Sequence, residues 1–299
     1  MKRGSSGSHA WLDAGRTLLS RMPAPVRRPA KSPVLWWRHR GLKPSDVFIA
    51  SYPKSGNTWL RHLLAHAVDG HVDGWHGNVD RISIRVGRHC ELRSVLPGQG
   101  RLIKTHERFR TEYRRVVLMV RHPADVAVSL FHYRRQYGSA KERERTMPSF
   151  IEAFVRGDAA PAGRWDRYHA GYLLARDRRK TDLMIVRYED FKTEPVTSFA
   201  GVLAFIGLDL DRQRIESAID DCDVNSMRAR ERMHRQQTGE AHKRFVRHAK
   251  AGGGREELSA KDFRRIEMAF GDEMAALGYD ADGSANRDSA AEPAHEDRI

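Results

Sequence analysis

The sequence predicts an α/β fold in which a parallel β-sheet carries helices on both faces. Short, nearly continuous apolar runs alternate along the chain with segments of helical apolar spacing, as a sheet buried on both sides requires. The segment from Val47 to Leu60 reads as strand, tight loop and helix start without a break. The residues of strongest chemical character stand at the ends of the apolar runs, where ligands bind such sheets.

Each element has its own signal. Val47, Phe48 and Ile49 place a first strand over 46–52. Ser55, Gly56, Asn57 and Thr58 supply turn and capping chemistry, and Trp59, Leu60, Leu63, Leu64 and Ala67 recur at helical spacing through a helix over 58–68. Further strands fall at 102–104, 115–120 and 183–187. Further helices fall at 124–136, 149–156, 164–177, 196–206, 212–221 and 260–277, the first of them after the turn at Pro123. Residues 1–45 read as a basic N-terminal arm with one short amphipathic helix, 46–279 as a single domain, and 280–299, rich in Ala, Asp, Glu and Ser, as a disordered acidic tail.

The chain of 299 residues has a formal charge of +14. Such a charge invites a polynucleotide or acidic-membrane partner, but its distribution argues otherwise. The arm contributes +9 and the tail −4, leaving +9 for the domain. A basic cleft for a small polyanion accounts for that remainder without a specific nucleic acid. Clustered Lys/Arg beside Trp and Leu in the arm also suits a headgroup interface, so a peripheral contact at the inner membrane surface is a second expectation. Cys90 and Cys222 have no zinc-type or CxxC spacing, which fits a reducing cytosol. No apolar run approaches the ~20 residues of a membrane span.

The segment after the first strand is built for an anion. A helix starting just past a glycine loop turns unpaired N–H groups and the positive end of its dipole toward the loop. Lys54 and the hydroxyls of Ser55 and Thr58 add to that field. The pattern is not GxxxxGK[ST], whose lysine follows the second glycine; here Lys54 precedes the glycine. At the second strand's end stands His106 after Lys104 and Thr105, an imidazole in the titration range of a general base. His62 and His66 lie one helical turn apart, but the Glu of HExxH is missing and no third metal ligand is placed.

The string YPKSGNTW from Tyr52 to Trp59 resembles the 5′-phosphosulfate loop of sulfotransferases that use PAPS (3′-phosphoadenosine 5′-phosphosulfate), usually YPKSGTTW, with Asn57 as the departure. Leu102 to His106 resembles the family's KTH motif, and RHPADVAVS from Arg121 to Ser129 resembles its 3′-phosphate motif RNPKDVAVS. Tyr188-Glu-Asp190 matches the family's YED, and Phe245 to Gly252 resembles its FxRKGxxG loop, with His248 and Ala249 in place of Lys-Gly. The resemblance spans about 46–277.

The resemblance implies a P-loop-like sheet, PAPS as co-substrate, PAP as product and no metal. It implies His106 as base, Lys54 at the leaving-group oxygen and Lys104 at the sulfuryl oxygens. Ser55, Gly56, Asn57 and Thr58 would hold the 5′-phosphosulfate, Arg121, Ser129 and Arg247 the 3′-phosphate, and Trp59 and Tyr188 the adenine. The acceptor would be a hydroxyl on a small molecule, glycan or lipid, held by residues 70–100 and 134–165. The family's dimer motif falls at Arg255, Ser259, Ala260 and Arg264, where arginine stands at the glutamate position, and oligomeric state stays open. Two alternatives are a P-loop nucleotide-dependent kinase, which would prefer ATP with Mg²⁺, and a non-catalytic binder of acidic surfaces, which would show steep salt dependence without turnover.

Overall fold

The computed structural model describes residues 36–239, 244–247 and 249–279. Most of the predicted arm, the whole acidic tail and His248 lie outside the described residues. The described part of the arm is tied to the domain: Arg38 pairs with Glu107 at 2.8 Å, and His39 meets the Tyr113 hydroxyl at 3.0 Å.

In chain order the main elements are β1 (Val47–Ser51), α1 (Asn57–Asp69), α2 (Gly77–Ile82), β2 (Ser83–Arg85), β3 (Leu102–Thr105), β4 (Arg115–Val120) and α3 (Pro123–Tyr137). There follow α4 (Ala140–Arg143), α5 (Met147–Arg156), α6 (Trp165–Asp177), β5 (Asp182–Arg187), α7 (Tyr188–Thr193), α8 (Pro195–Ile206) and α9 (Arg212–Asp221). The last three are α10 (Val224–Thr238), α11 (Gly253–Glu257) and α12 (Ala260–Ala276).

The five strands form one parallel sheet in the order β2-β3-β1-β4-β5. Alternation along the strands builds two cores. Phe48 and Ala50 of β1 with Val116, Leu118 and Val120 of β4 face a layer that includes α3, α5, α6 and α12. Val47 and Ile49 with Val117 and Met119 face the opposite layer of α1, α8 and α9. A period of two on strands whose faces are both covered is what near-continuous apolar runs produce. All five strands point the same way, so the loops leaving β1, β3, β4 and β5 gather at one edge.

Six of these elements, β2 and the helices α2, α4, α7, α10 and α11, are absent from the predicted pattern, and β2 and α10 show why. Strand β2 is three residues long, with Arg85 exposed, and carries too little apolar pattern to read. Helix α10 covers fifteen residues in which Met227 and Glu231 are the buried ones, so it has no apolar stripe. Its start was written in Asp223, whose carboxylate accepts the N–H of Ser226 at 2.7 Å.

Candidate active site

The loop from β1 to α1 is an anion cradle. Lys54 has φ 74°, a left-handed backbone costing a non-glycine residue about 1 kcal/mol. Gly56, at φ 100°, caps α1, and its carbonyl accepts the N–H groups of Trp59 and Leu60 at 2.9 and 3.2 Å. Among the described residues the N–H groups of Gly56, Asn57 and Thr58 have no acceptor. Three orphan donors at the positive end of a thirteen-residue helix favour an oxyanion. Asn57 anchors the turn, its amide donating to the Ile49 carbonyl at 3.0 Å. Ser55 is fully buried, its hydroxyl lacks a hydrogen-bond partner, and it does not reach the cavity wall.

Above this cradle lies a cavity of about 880 Å³. Lys54, Gly56, Asn57, Thr58 and Trp59 line it from β1 and α1, Lys104 and His106 from β3, Arg121 and Ser129 from β4 and α3, and Tyr188 from the end of β5. Arg247 reaches it from the loop before α11. Of the twelve residues predicted for the site, only Ser55 stands apart from this wall.

The His106 imidazole is oriented from behind. Its Nδ1 lies 2.7 Å from the Ser51 carbonyl oxygen. A carbonyl can only accept, so Nδ1 carries the proton and Nε2 keeps its lone pair. Burial, with the Lys104 charge second, pushes the His106 pKa down to about 3, and the ring is neutral at pH 7. Lys104 is pushed down to about 8 by burial and then by Arg61. Lys54 is pushed down to about 7, first by burial and then by Arg121, with Glu231 opposing. The Lys54 Nζ lies 3.5 Å from the Phe245 ring centre and 4.8 Å from that of Tyr133. A cation held between aromatic faces is attracted to their quadrupoles while being stripped of water.

Arg121 and the loop before α11 form the opposite wall. The Arg121 guanidinium lies 4.3 Å from the Tyr188 ring centre, donates to the Lys250 carbonyl at 2.8 Å and pairs with Asp125 at 3.2 Å. The buried Asp125 carboxylate also accepts the N–H groups of Gly252 and Gly254, at 2.9 and 2.6 Å. Asp125 therefore fastens α11 to α3 as well as pairing with the arginine. Arg247 pairs with Glu257, which also meets His132 at 2.8 Å. Trp59 donates from its indole to the Cys222 carbonyl at 2.9 Å and packs edge-on against Tyr188 and Phe191.

Sequence reasoning missed Glu231, which fixes the loop carrying Phe245 and Arg247. A lone carboxylate in an arginine-rich helix gave no pattern to notice. It also missed Arg61, whose buried guanidinium ties α1 to the Ser83 carbonyl at 2.8 Å and to Asp80 at 2.5 Å. His62 Nδ1 bonds the Thr58 carbonyl at 2.8 Å, and His66 lies 3.8 Å from Asp221. No group of three or more His, Cys, Asp or Glu among the described residues could hold a metal ion.

Several known proteins resemble this chain in sequence or in fold. Cytosolic sulfotransferase 7 of Arabidopsis thaliana is 26% identical over 260 residues, covering 77% of this chain and 79% of the relative. Flavonol 3-sulfotransferase of Flaveria bidentis is 26% identical over 265 residues, covering 79% and 83%. A mouse sulfotransferase crystallised with PAP matches with a TM-score of 0.58 at 21% identity, over 78% of this chain and 85% of that one. Retinol dehydratase in complex with retinol and PAP matches with a TM-score of 0.63 at 18% identity, over 81% and 86%. At such identity these two structures speak for the fold. The family model described as the Sulfotransferase domain matches residues 44–278, nearly the whole sheet-and-helix unit with every strand end described above, and the chain belongs to that family.

Proposed function

We propose that this sulfotransferase moves a sulfuryl group from PAPS to a hydroxyl of a small-molecule, glycan or lipid acceptor. One observation carries the reading: four parallel strand ends bring Lys54, His106, Arg121 and Tyr188 to one cavity over an orphaned helix N-terminus. The residues present fit the donor. The Gly56, Asn57 and Thr58 N–H groups would take the 5′-phosphosulfate, and Arg121, Ser129 and Arg247 the 3′-phosphate. Trp59 and Tyr188 supply aromatic faces for the purine. Bound PAPS would supply an activated sulfur–oxygen bond to its 5′-phosphate; that bond breaks as the acceptor oxygen bonds to sulfur, and PAP is the leaving group.

His106 Nε2, with its lone pair directed away from the Ser51 anchor, accepts the acceptor's hydroxyl proton as the oxygen attacks sulfur. Lys54 neutralises the charge appearing on the bridging oxygen of the leaving group, and Lys104 faces the sulfuryl oxygens. The depressed His106 pKa belongs to the donor-free site, and the anionic charge of a bound donor raises it. The named substrate of the Flaveria relative is a flavonol, which is consistent with a hydroxyl-bearing small molecule here. The cytosolic names among the relatives support a cytoplasmic location, and among the described residues no helix is long and apolar enough to cross a membrane.

The test is calorimetric titration of the full chain with PAP, beside ADP and ATP with Mg²⁺, followed by sulfate transfer from labelled PAPS to a panel of alcohols. Micromolar or tighter PAP binding with weak ADP binding is the expected result. Preference for ATP with Mg²⁺ would overturn the reading in favour of a kinase.

A further inference from the structure

Helix α10 lines the cavity with Val224, Met227, Glu231, His234 and Arg235, and the one carboxylate among them is buried without an obvious reason. Glu231 is 3% exposed. A desolvated carboxylate persists only where donors are aimed at it. Its two oxygens accept the backbone N–H groups of Phe245 and Val246, the second at 2.9 Å, and Arg235 lies 3.7 Å away. From the same helix Arg228 donates to the Arg247 carbonyl at 2.6 Å. The far end of this loop is fixed in the same way, by Asp125 on the N–H groups of Gly252 and Gly254.

We propose that Glu231 is a positioning residue for the donor: by gripping the backbone at Phe245 and Val246 it sets the Phe245 ring on Lys54 and Arg247 at the cavity wall. This rests on the donor reading above and deepens it. Arg247 is suspended between two carboxylate anchors, Glu231 before it and Asp125 after it. The Arg247 backbone is thereby placed at the cavity wall before any ligand arrives, with its guanidinium held by Glu257, which lowers the ordering cost of binding. The grip is made of charge-assisted hydrogen bonds to backbone, so it does not depend on the side chains at 248 and 249, where the chain departs from the related loops.

A role exercised through Arg247 makes a sharper demand than a contribution to folding. Residues that act as one unit give non-additive losses when both are changed. The experiment is titration calorimetry with PAP and with AMP, which lacks the 3′-phosphate, on the full chain as wild type, Glu231→Gln, Arg247→Ala and the double variant. Losing a charged acceptor should weaken PAP binding by about tenfold and AMP by no more than about twofold. The double variant should bind PAP within about twofold of Arg247→Ala alone. Fully additive losses, or equal weakening of PAP and AMP, overturn the proposal. Arg228→Ala, which severs the other α10 contact to this loop, should reproduce the selective PAP loss should Glu231→Gln fail to fold; unchanged PAP affinity in Arg228→Ala would then count against it. A wild type that binds no PAP overturns the donor reading itself, an outcome separate from the others.

Discussion

The Ser51 carbonyl fixes which nitrogen of His106 can take a proton: at 2.7 Å it accepts Nδ1–H, leaving the lone pair on Nε2. Ser51 ends β1 and His106 directly follows the neighbouring parallel strand β3, so the sheet register itself sets the tautomer. His106→Ala should lower turnover by about 10²–10⁴-fold, the range for losing a positioned general base. PAP affinity should stay within a few-fold, because a base acts on the acceptor's proton and not on the nucleotide phosphates. Single-turnover assays beside PAP titration separate these, and a variant that keeps most of its activity removes His106 as base.

Lys54 makes donor binding dependent on pH. Burial and Arg121 hold its pKa at about 7 in the donor-free protein. A polyanion seated beside it favours the ammonium and raises that value, so binding takes up a proton at and above neutrality. The sign follows: PAP affinity is greatest below pH 7 and falls as pH rises through it, by at most tenfold per unit. Phe245→Ala lets water reach the ammonium and should move the fall to higher pH, whereas Lys54→Met should abolish it. Affinity flat from pH 6.5 to 9 in the wild type would show that Lys54 does not meet the donor.

Arg121 is held by Asp125, Tyr188 and the Lys250 carbonyl, so its guanidinium has little freedom left to lose on binding. Arg121→Ala should therefore weaken PAP by about 10²-fold, as for other charged hydrogen-bond partners, and AMP far less. Equal loss for both ligands refutes the 3′-phosphate assignment.

How much could be read from sequence depended on whether the signal was local. The cradle, β1 and α1 were legible because apolar run, glycine loop and helical spacing adjoin within fourteen residues from Val47 to Leu60. His106 and Arg121 were legible because each follows its strand directly. Glu231 was not, since its partners are the backbone N–H groups of residues 245 and 246, and backbone contacts leave no mark on composition. Helix α10 escaped for a related reason: it lies over the cavity, with Met227 and Glu231 its buried residues, and has no core-facing stripe to show. Ser55 marks the limit of analogy, since its place in a phosphate-loop string did not bring its hydroxyl to the cavity.

Gly56 is the position where the loop tolerates nothing larger. Its φ of 100° is strained for any residue with a Cβ, and that atom would lie 2.7 Å from Tyr188 Cδ2 and 3.0 Å from Met119 Sδ. Neither neighbour can yield, because Met119 is fully buried in β4 and Tyr188 is pinned under Arg121. Gly56→Ala should cost about 2–4 kcal/mol, combining the backbone penalty with overpacking. Gly252, at φ 78° but with open space around it, is the matched control: Gly252→Ala should cost only about 1 kcal/mol. Urea denaturation of both variants measures the difference. A Gly56→Ala protein as stable as Gly252→Ala would mean that the Tyr188 ring moves freely, and the packing that joins the cradle to the Arg121 wall would have to be abandoned.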